Sequence, residues 1–124
     1  MGDVDLDRAE ALLKSARSAY GTGDIWGVAG LSYHALEAAA SFLIETINGH
    51  DPGGHGGRMR RISELLSICN SELDRVWRAR NVDFYGNERI GEPKRLITME
   101  EVRDALETAE RVLGEIKSMA NEPP

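Results

Sequence analysis

The stretch Ser71–Gly86, SELDRVWRARNVDFYG, decides how the chain is read. Ser71 is a good helix N-cap, and Glu72 and Asp74 follow in the first turn, where the positive end of the helix dipole favours carboxylates. Leu73, Val76, Trp77 and Arg80 recur at spacings of three and four, so they share one helix face, while Arg75 and Arg78 stand off it. Arg80-Asn81 then comes close to Asp83 and Tyr85, and Gly86 supplies the stop. An arginine beside an acid or a phenol can be held with its planar fork in one orientation, ready for a phosphate or braced on a carboxylate. Arg78, Arg80, Asn81, Asp83 and Tyr85 are therefore the candidate ligand-binding residues.

Upstream, three helices are expected. Leu6, Ala9, Leu13, Ala16 and Tyr20 set the stripe of the first, over 4–20, and Gly21-Thr22-Gly23 ends it. A break this short makes the next helix an antiparallel neighbour. Asp24 caps the second, over 25–48, with Trp26, Ala29, Tyr33, Leu36, Ala40, Leu43 and Ile47 as its buried positions. Ala38, Ala39 and Phe42 make it apolar over more than half its circumference, so it is either central or covered by a partner subunit. Gly27 and Gly30 each cost about 1 kcal/mol relative to alanine and suit a close backbone approach. His34 and Glu37 read as a surface pair one turn apart. A third, short helix is expected over 58–69, with Met59, Ile62, Leu65 and Leu66 inward.

Between the second and third helices lies GHDPGGHGG, residues 49–57. Its five glycines and Pro52 stop a helix. His50, Asp51 and His55 are metal-ligand types, but a loop this supple does not preorganise them, and a connector is the expectation. Its glycine spacing matches no phosphate-loop motif, although Arg58, Arg60 and Arg61 stand at the next helix start. Downstream, Gly91 and Pro93 mark a return loop. Thr98 with Glu101 three residues later is a capping box, opening a last helix that runs to about Ala120. Met99, Val102, Leu106, Ala109, Leu113 and Ile116 line its face. No strand pattern survives. The expectation is one all-α domain, an antiparallel up-and-down bundle of four main helices plus a short one packed across.

Composition bounds the function. At 124 residues, 41% hydrophobic and 29% charged, the chain is an ordinary single globular domain by length and usage. It has no 18-residue apolar run, and the acidic start MGDVDLDRAE lacks the pattern of a secretory signal. Cys69 is the single cysteine, so no internal disulfide or thiolate metal cluster is expected, and a reducing cytoplasm is the simplest home. A net charge of −6 argues against strong non-specific nucleic-acid binding. Yet residues 57–95 hold nine Lys and Arg against six acids, a local basic excess on an acidic chain. A Ser-His-Asp arrangement cannot be built from His34, His50 and His55, and no glycine-flanked serine elbow exists. No catalytic residue, metal or cofactor is expected.

With those residues in place, RNVDFYG resembles the signature of the HEPN superfamily of small helical domains. LSYHALEAAASFLIETINGHDPGGHGGRMRRISELL is similar to its second and third helices, so the likeness covers nearly the whole chain. One branch of that family ends in an arginine followed by an acidic-aromatic pair, here Arg80, Asp83 and Tyr85 with Phe84 inserted. The ribonuclease branch carries an arginine, a polar residue and then a histidine four to six positions on. This chain has Arg80-Asn81 but Tyr85 where that histidine could first stand, and no later histidine. The resemblance thus implies a homodimeric, non-catalytic module that binds a nucleotide, RNA or a partner protein. A small nucleotidyltransferase of a toxin–antitoxin-like pair is one such partner, with Tyr85 as the residue it would modify. The alternative is a divergent metal-independent ribonuclease, with Arg80 stabilising phosphorane-like charge and Asp83 or Tyr85 moving the proton. Tyrosine, with an ordinary pKa of about 10, is a poor substitute for histidine near neutral pH.

Overall fold

The computed structural model describes residues 3–48, 55–66, 70–86, 91 and 93–120, with the side chains of 3, 4, 47, 48, 55, 56, 70, 71, 83–85 and 120 outside that description. Its described residues form five packed helices: α1 (Asp3–Gly21), α2 (Ile25–Asn48), α3 (His55–Leu65), α4 (Asn70–Tyr85) and α5 (Met99–Ala120). None of them is long and apolar enough to cross a membrane.

α2 is the hub, packing against all four other helices and most extensively against α1. Val28, Ala29, Ser32, Ala35, Leu36, Ala38, Ala39, Ala40, Phe42, Leu43 and Ile44 are all buried, which takes in most of its circumference. The apolar girth expected either to sit centrally or to meet a second subunit is therefore consumed inside the chain. The buried positions of α1 are the small residues Ala9 and Ala16 around Leu13. The hairpin between α1 and α2 is set by Gly23 at φ 78° and by Asp24, whose Oδ1 accepts from the Gly27 amide at 3.0 Å. A Cβ at Gly27 would run into the Asp24 carboxylate and push it off its cap, while Ala19 Cβ at 3.4 Å would be in ordinary contact.

α5 lies antiparallel to α1. Arg17 pairs with Glu110 and Glu10 pairs with Lys117, so equal steps along the two helices run in opposite directions. Its inward stripe, Val102, Ala105, Leu106, Ala109, Val112, Leu113 and Ile116, is buried as the spacing predicts. Side chains of this kind stabilise by about 1.5–3 kcal/mol each when fully buried. Truncating Leu106 to alanine would cost about 2–5 kcal/mol.

Two expected core positions are corrected. Trp26 is 54% exposed and Met99 is 42% exposed. Both sit in the first turn of their helices. The short third helix also shifts. It begins at His55 and ends at Leu65, so Gly56 and Gly57 are its first turn rather than loop. Glycine is tolerated there at about 1 kcal/mol each relative to alanine. Met59, Ile62 and Leu66 are buried and Leu65 partly so, as its spacing predicts.

α4 ends where Gly86 takes φ 80° and its amide bonds the Val82 carbonyl at 2.9 Å. The Gly86 carbonyl then accepts from the Arg95 amide at 2.7 Å, and Ile97 is buried, which ties the return segment to the bundle. The capping box is present and reciprocal. The Glu101 amide donates to Thr98 Oγ1 at 3.2 Å, and the Thr98 amide donates to Glu101 Oε1 at 3.1 Å.

Candidate functional site

α4 buries Leu73, Val76, Ala79 and Val82, and that face fixes which way its polar residues point. Arg80 lies beside the buried stripe. Its guanidinium carbon sits 5.2 Å from the centre of the Tyr33 ring on α2, a cation–π contact, and its Nη1 donates to Asn81 Oδ1 at 3.1 Å. Asn81 is one of two buried polar side chains among the described residues. The amide oxygen there accepts from the guanidinium and helps to orient it.

The ring under Arg80 belongs to a larger cluster. Tyr33 and Glu37 are one turn apart on α2, and the phenol donates to the Glu37 carboxylate. From α3, Arg58 Nη1 donates to Glu37 Oε2 at 3.0 Å. This ion pair is largely shielded, with 12% of the Glu37 side chain and 27% of that of Arg58 exposed. His34 meets Tyr33 edge to face, with ring centres 5.5 Å apart at 67°. The Tyr33 hydroxyl is pushed above its ordinary pKa, first by burial and then by the Glu37 charge, while Arg80 pulls the other way. It is thus a hydrogen-bond donor at neutral pH. Three helices meet here, with two arginines flanking one carboxylate and one phenol.

The sequence-selected residues divide. Arg80 and Asn81 belong to this cluster. Arg78 does not join it, because two residues on an α-helix are about 200° apart around the axis. Its Nε lies 2.6 Å from Asp74 Oδ2, one turn back on the outer surface of α4, an ion pair by proximity rather than an aligned hydrogen bond. Asp83 and Tyr85 occupy the last turn of α4, and their side chains lie outside the described residues. His50 and Asp51 lie outside them too, as does the His55 side chain. Among the described residues, no group of three or more His, Cys, Asp or Glu side chains could hold a metal ion. Of the three arginines at the start of α3, Arg61 pairs with Glu64 at 2.9 Å and Arg60 is exposed, so they do not converge on one point.

Tyr33, Glu37 and Arg58 are site residues that the sequence pattern does not select. His34–Glu37 as a surface pair is corrected, since Glu37 turns inward to Tyr33 and Arg58 while His34 is exposed. The legible signal was Tyr33 to Glu37 at i, i+4, a spacing at which a phenol reaches a carboxylate. No family model matches the chain, and no curated protein matches it.

Proposed function

We propose that the chain is a HEPN-like, non-catalytic binding module whose Arg80 cluster receives a phosphate group of a nucleotide or of RNA. On this reading, the four long helices form the antiparallel up-and-down bundle of that superfamily, with α3 packed across it. The observation that carries the reading is the posture of Arg80. It is partly buried, stacked on Tyr33 and bonded to Asn81, so its planar fork is held in one orientation. An oriented guanidinium loses less freedom on binding a phosphate than a solvated one. The absence of any histidine after Arg80 supports a role without catalysis.

Two such modules pair across a two-fold axis, and a small nucleotidyltransferase is the expected protein partner. With α2 already covered within the chain, the homodimer rests on the family resemblance alone, and light scattering decides between one and two copies. The module works in the cytoplasm. The ribonuclease reading draws on one observation, the imidazole of His34 against the ring that carries Arg80.

The test is a thermal-shift series with single-stranded RNA and mononucleotides on wild type and Arg80→Ala. A ligand that raises the melting temperature of wild type and not of the variant supports the reading. No shift with any of them, and a variant that only melts lower, makes Arg80 a brace between α4 and α2. Cleavage of the RNA by wild type, lost in Arg80→Ala, replaces the binding module with the ribonuclease.

A further inference from the structure

Beside the Arg80 cluster lies a half-open groove of about 370 Å³ that no function so far considered uses. It runs between α1, α2 and α3. Arg8 enters it from α1, His34, Glu37 and Ser41 from α2, and Arg58 from α3. Leu12 and Ala38 give it an apolar floor. It shares Glu37 and Arg58 with the Arg80 cluster, but neither Tyr33 nor Arg80 lines it. We propose that this groove is a second binding site, for a small phosphomonoester, and it stands independently of the reading of Arg80.

The chemistry is that of a dianion held on an apolar floor. Two guanidinium groups from different helices line the groove against a single carboxylate, a net positive lining on a chain of net charge −6. That carboxylate is already engaged by Arg58 at 3.0 Å and by the Tyr33 phenol. Arg58 is spent on that carboxylate in the same measure, so the net positive charge that an entering phosphate meets is that of Arg8. Among the described residues Arg8 pairs with Asp5, at 3.3 Å across a solvated surface, and 61% of its side chain is exposed. A contact of that kind is weak and easily exchanged for a phosphate. The Ser41 hydroxyl and the His34 ring add donor-capable groups on the α2 wall. A volume of about 370 Å³ lies at the small end of ligand pockets, which suits a single nucleotide or sugar phosphate rather than a polymer.

The test is an amide-resolved NMR titration of the full chain with adenosine 5′-monophosphate, ribose 5-phosphate and adenosine. The variants are Arg80→Ala and the double variant Arg8→Gln/His34→Gln, whose two positions are exposed and leave the core untouched. Both phosphates are expected to shift amides around residues 8, 38, 41 and 58, and adenosine is not. A larger response to the nucleotide than to the sugar phosphate assigns the apolar floor to the base. Equal responses assign the groove to the phosphate alone, and both results uphold the site. The double variant is expected to weaken the phosphates about tenfold, the scale of a lost charge-assisted hydrogen bond. Arg80→Ala is expected to leave the groove shifts in place. The proposal is overturned if millimolar phosphomonoester moves no groove amide, or if adenosine moves them as strongly. It is also overturned if Arg80→Ala abolishes the shifts while the double variant keeps them, which would move the phosphate to Arg80. Loss of the groove response with RNA stabilisation intact would sink this site and leave the module reading standing.

Discussion

Arg95 grips Glu101 with both arms. Its Nη1 donates to Glu101 Oε1 at 2.7 Å and its Nη2 to Oε2 at 2.6 Å. The same carboxylate accepts the Thr98 amide and hydroxyl at the start of α5. One side chain thus closes the helix and anchors the return segment, whose Arg95 amide is bonded to the end of α4.

That arrangement makes stability depend on acid. The Arg95 bonds hold the Glu101 carboxyl below the usual carboxylate range, burial opposes them, and the Thr98 bonds add to them. A carboxyl depressed in the folded state stabilises above its unfolded pKa and loses that contribution as pH falls through its folded value. The melting temperature is therefore expected to drop as pH falls from about 5 towards 3, at and below the usual glutamate pKa of about 4.3. Glu101→Gln should lower stability by about 1 kcal/mol at neutral pH, the scale of a lost cap, and make the acid limb shallower. Thermal melts across that range read both. An acid limb as steep in the variant as in wild type would exclude Glu101 as its source.

Gly86 is the second structural hinge of the same region. At φ 80° it occupies the left-handed region, and a Cβ there would lie 3.3 Å from Lys94 Cδ. Gly86→Ala is expected to cost about 1–2 kcal/mol, nearly all of it backbone strain, because the Lys94 stem can move aside. Chemical denaturation measures it. Lys94→Ala in the same background should recover little, and full recovery would place the cost in the side-chain clash.

These two features were legible in the sequence for physical reasons. Thr98 and Glu101 stand three apart before an apolar run, and Gly86 follows the last periodic residue of its helix. Both are local signals, set by neighbours a few residues away. The long stripes of α1, α2 and α5 were legible for the same reason. What stayed hidden was long-range. Arg58 and Glu37 are 21 residues apart and meet only because α3 folds across α2. The exposure of Trp26 and Met99 is set by tertiary packing, which no periodicity encodes. The direction of Arg78 away from Arg80 was legible in the helix spacing, which sets Arg78 off the face that carries Arg80 even though both are candidate ligand residues.

Ser32 is a polar group placed where the bundle offers it nothing. It is fully buried on α2, and its hydroxyl has no hydrogen-bond partner among the described residues. A buried unsatisfied hydroxyl costs about 1–3 kcal/mol, and alanine removes it while leaving almost the same volume. Ser32→Ala is expected to raise stability by about 1 kcal/mol, a modest share of that cost. Urea denaturation gives the number. A loss of stability instead would mean that the hydroxyl has a partner in solution, such as a buried water.

The contact between Arg80 and Tyr33 joins α4 to α2 and should register as a coupling energy. Cation–π pairs contribute about 0.5–1 kcal/mol when exposed and about 2 kcal/mol when desolvated, so a partly buried pair falls between. Arg80→Ala and Tyr33→Leu each remove the pair, and the double variant closes the cycle. A coupling of about 1 kcal/mol is expected from denaturation midpoints. Tyr33→Phe separates the two jobs of the ring. It keeps the face presented to Arg80 but deletes the hydroxyl that Glu37 accepts from, so it should preserve the coupling while loosening the Glu37–Arg58 pair. If Tyr33→Phe erases the coupling as completely as Tyr33→Leu does, then Arg80 is held through the Glu37 carboxylate and not by the aromatic face. The guanidinium would then owe its orientation to charge, and high salt, which screens charge, should weaken the coupling in wild type.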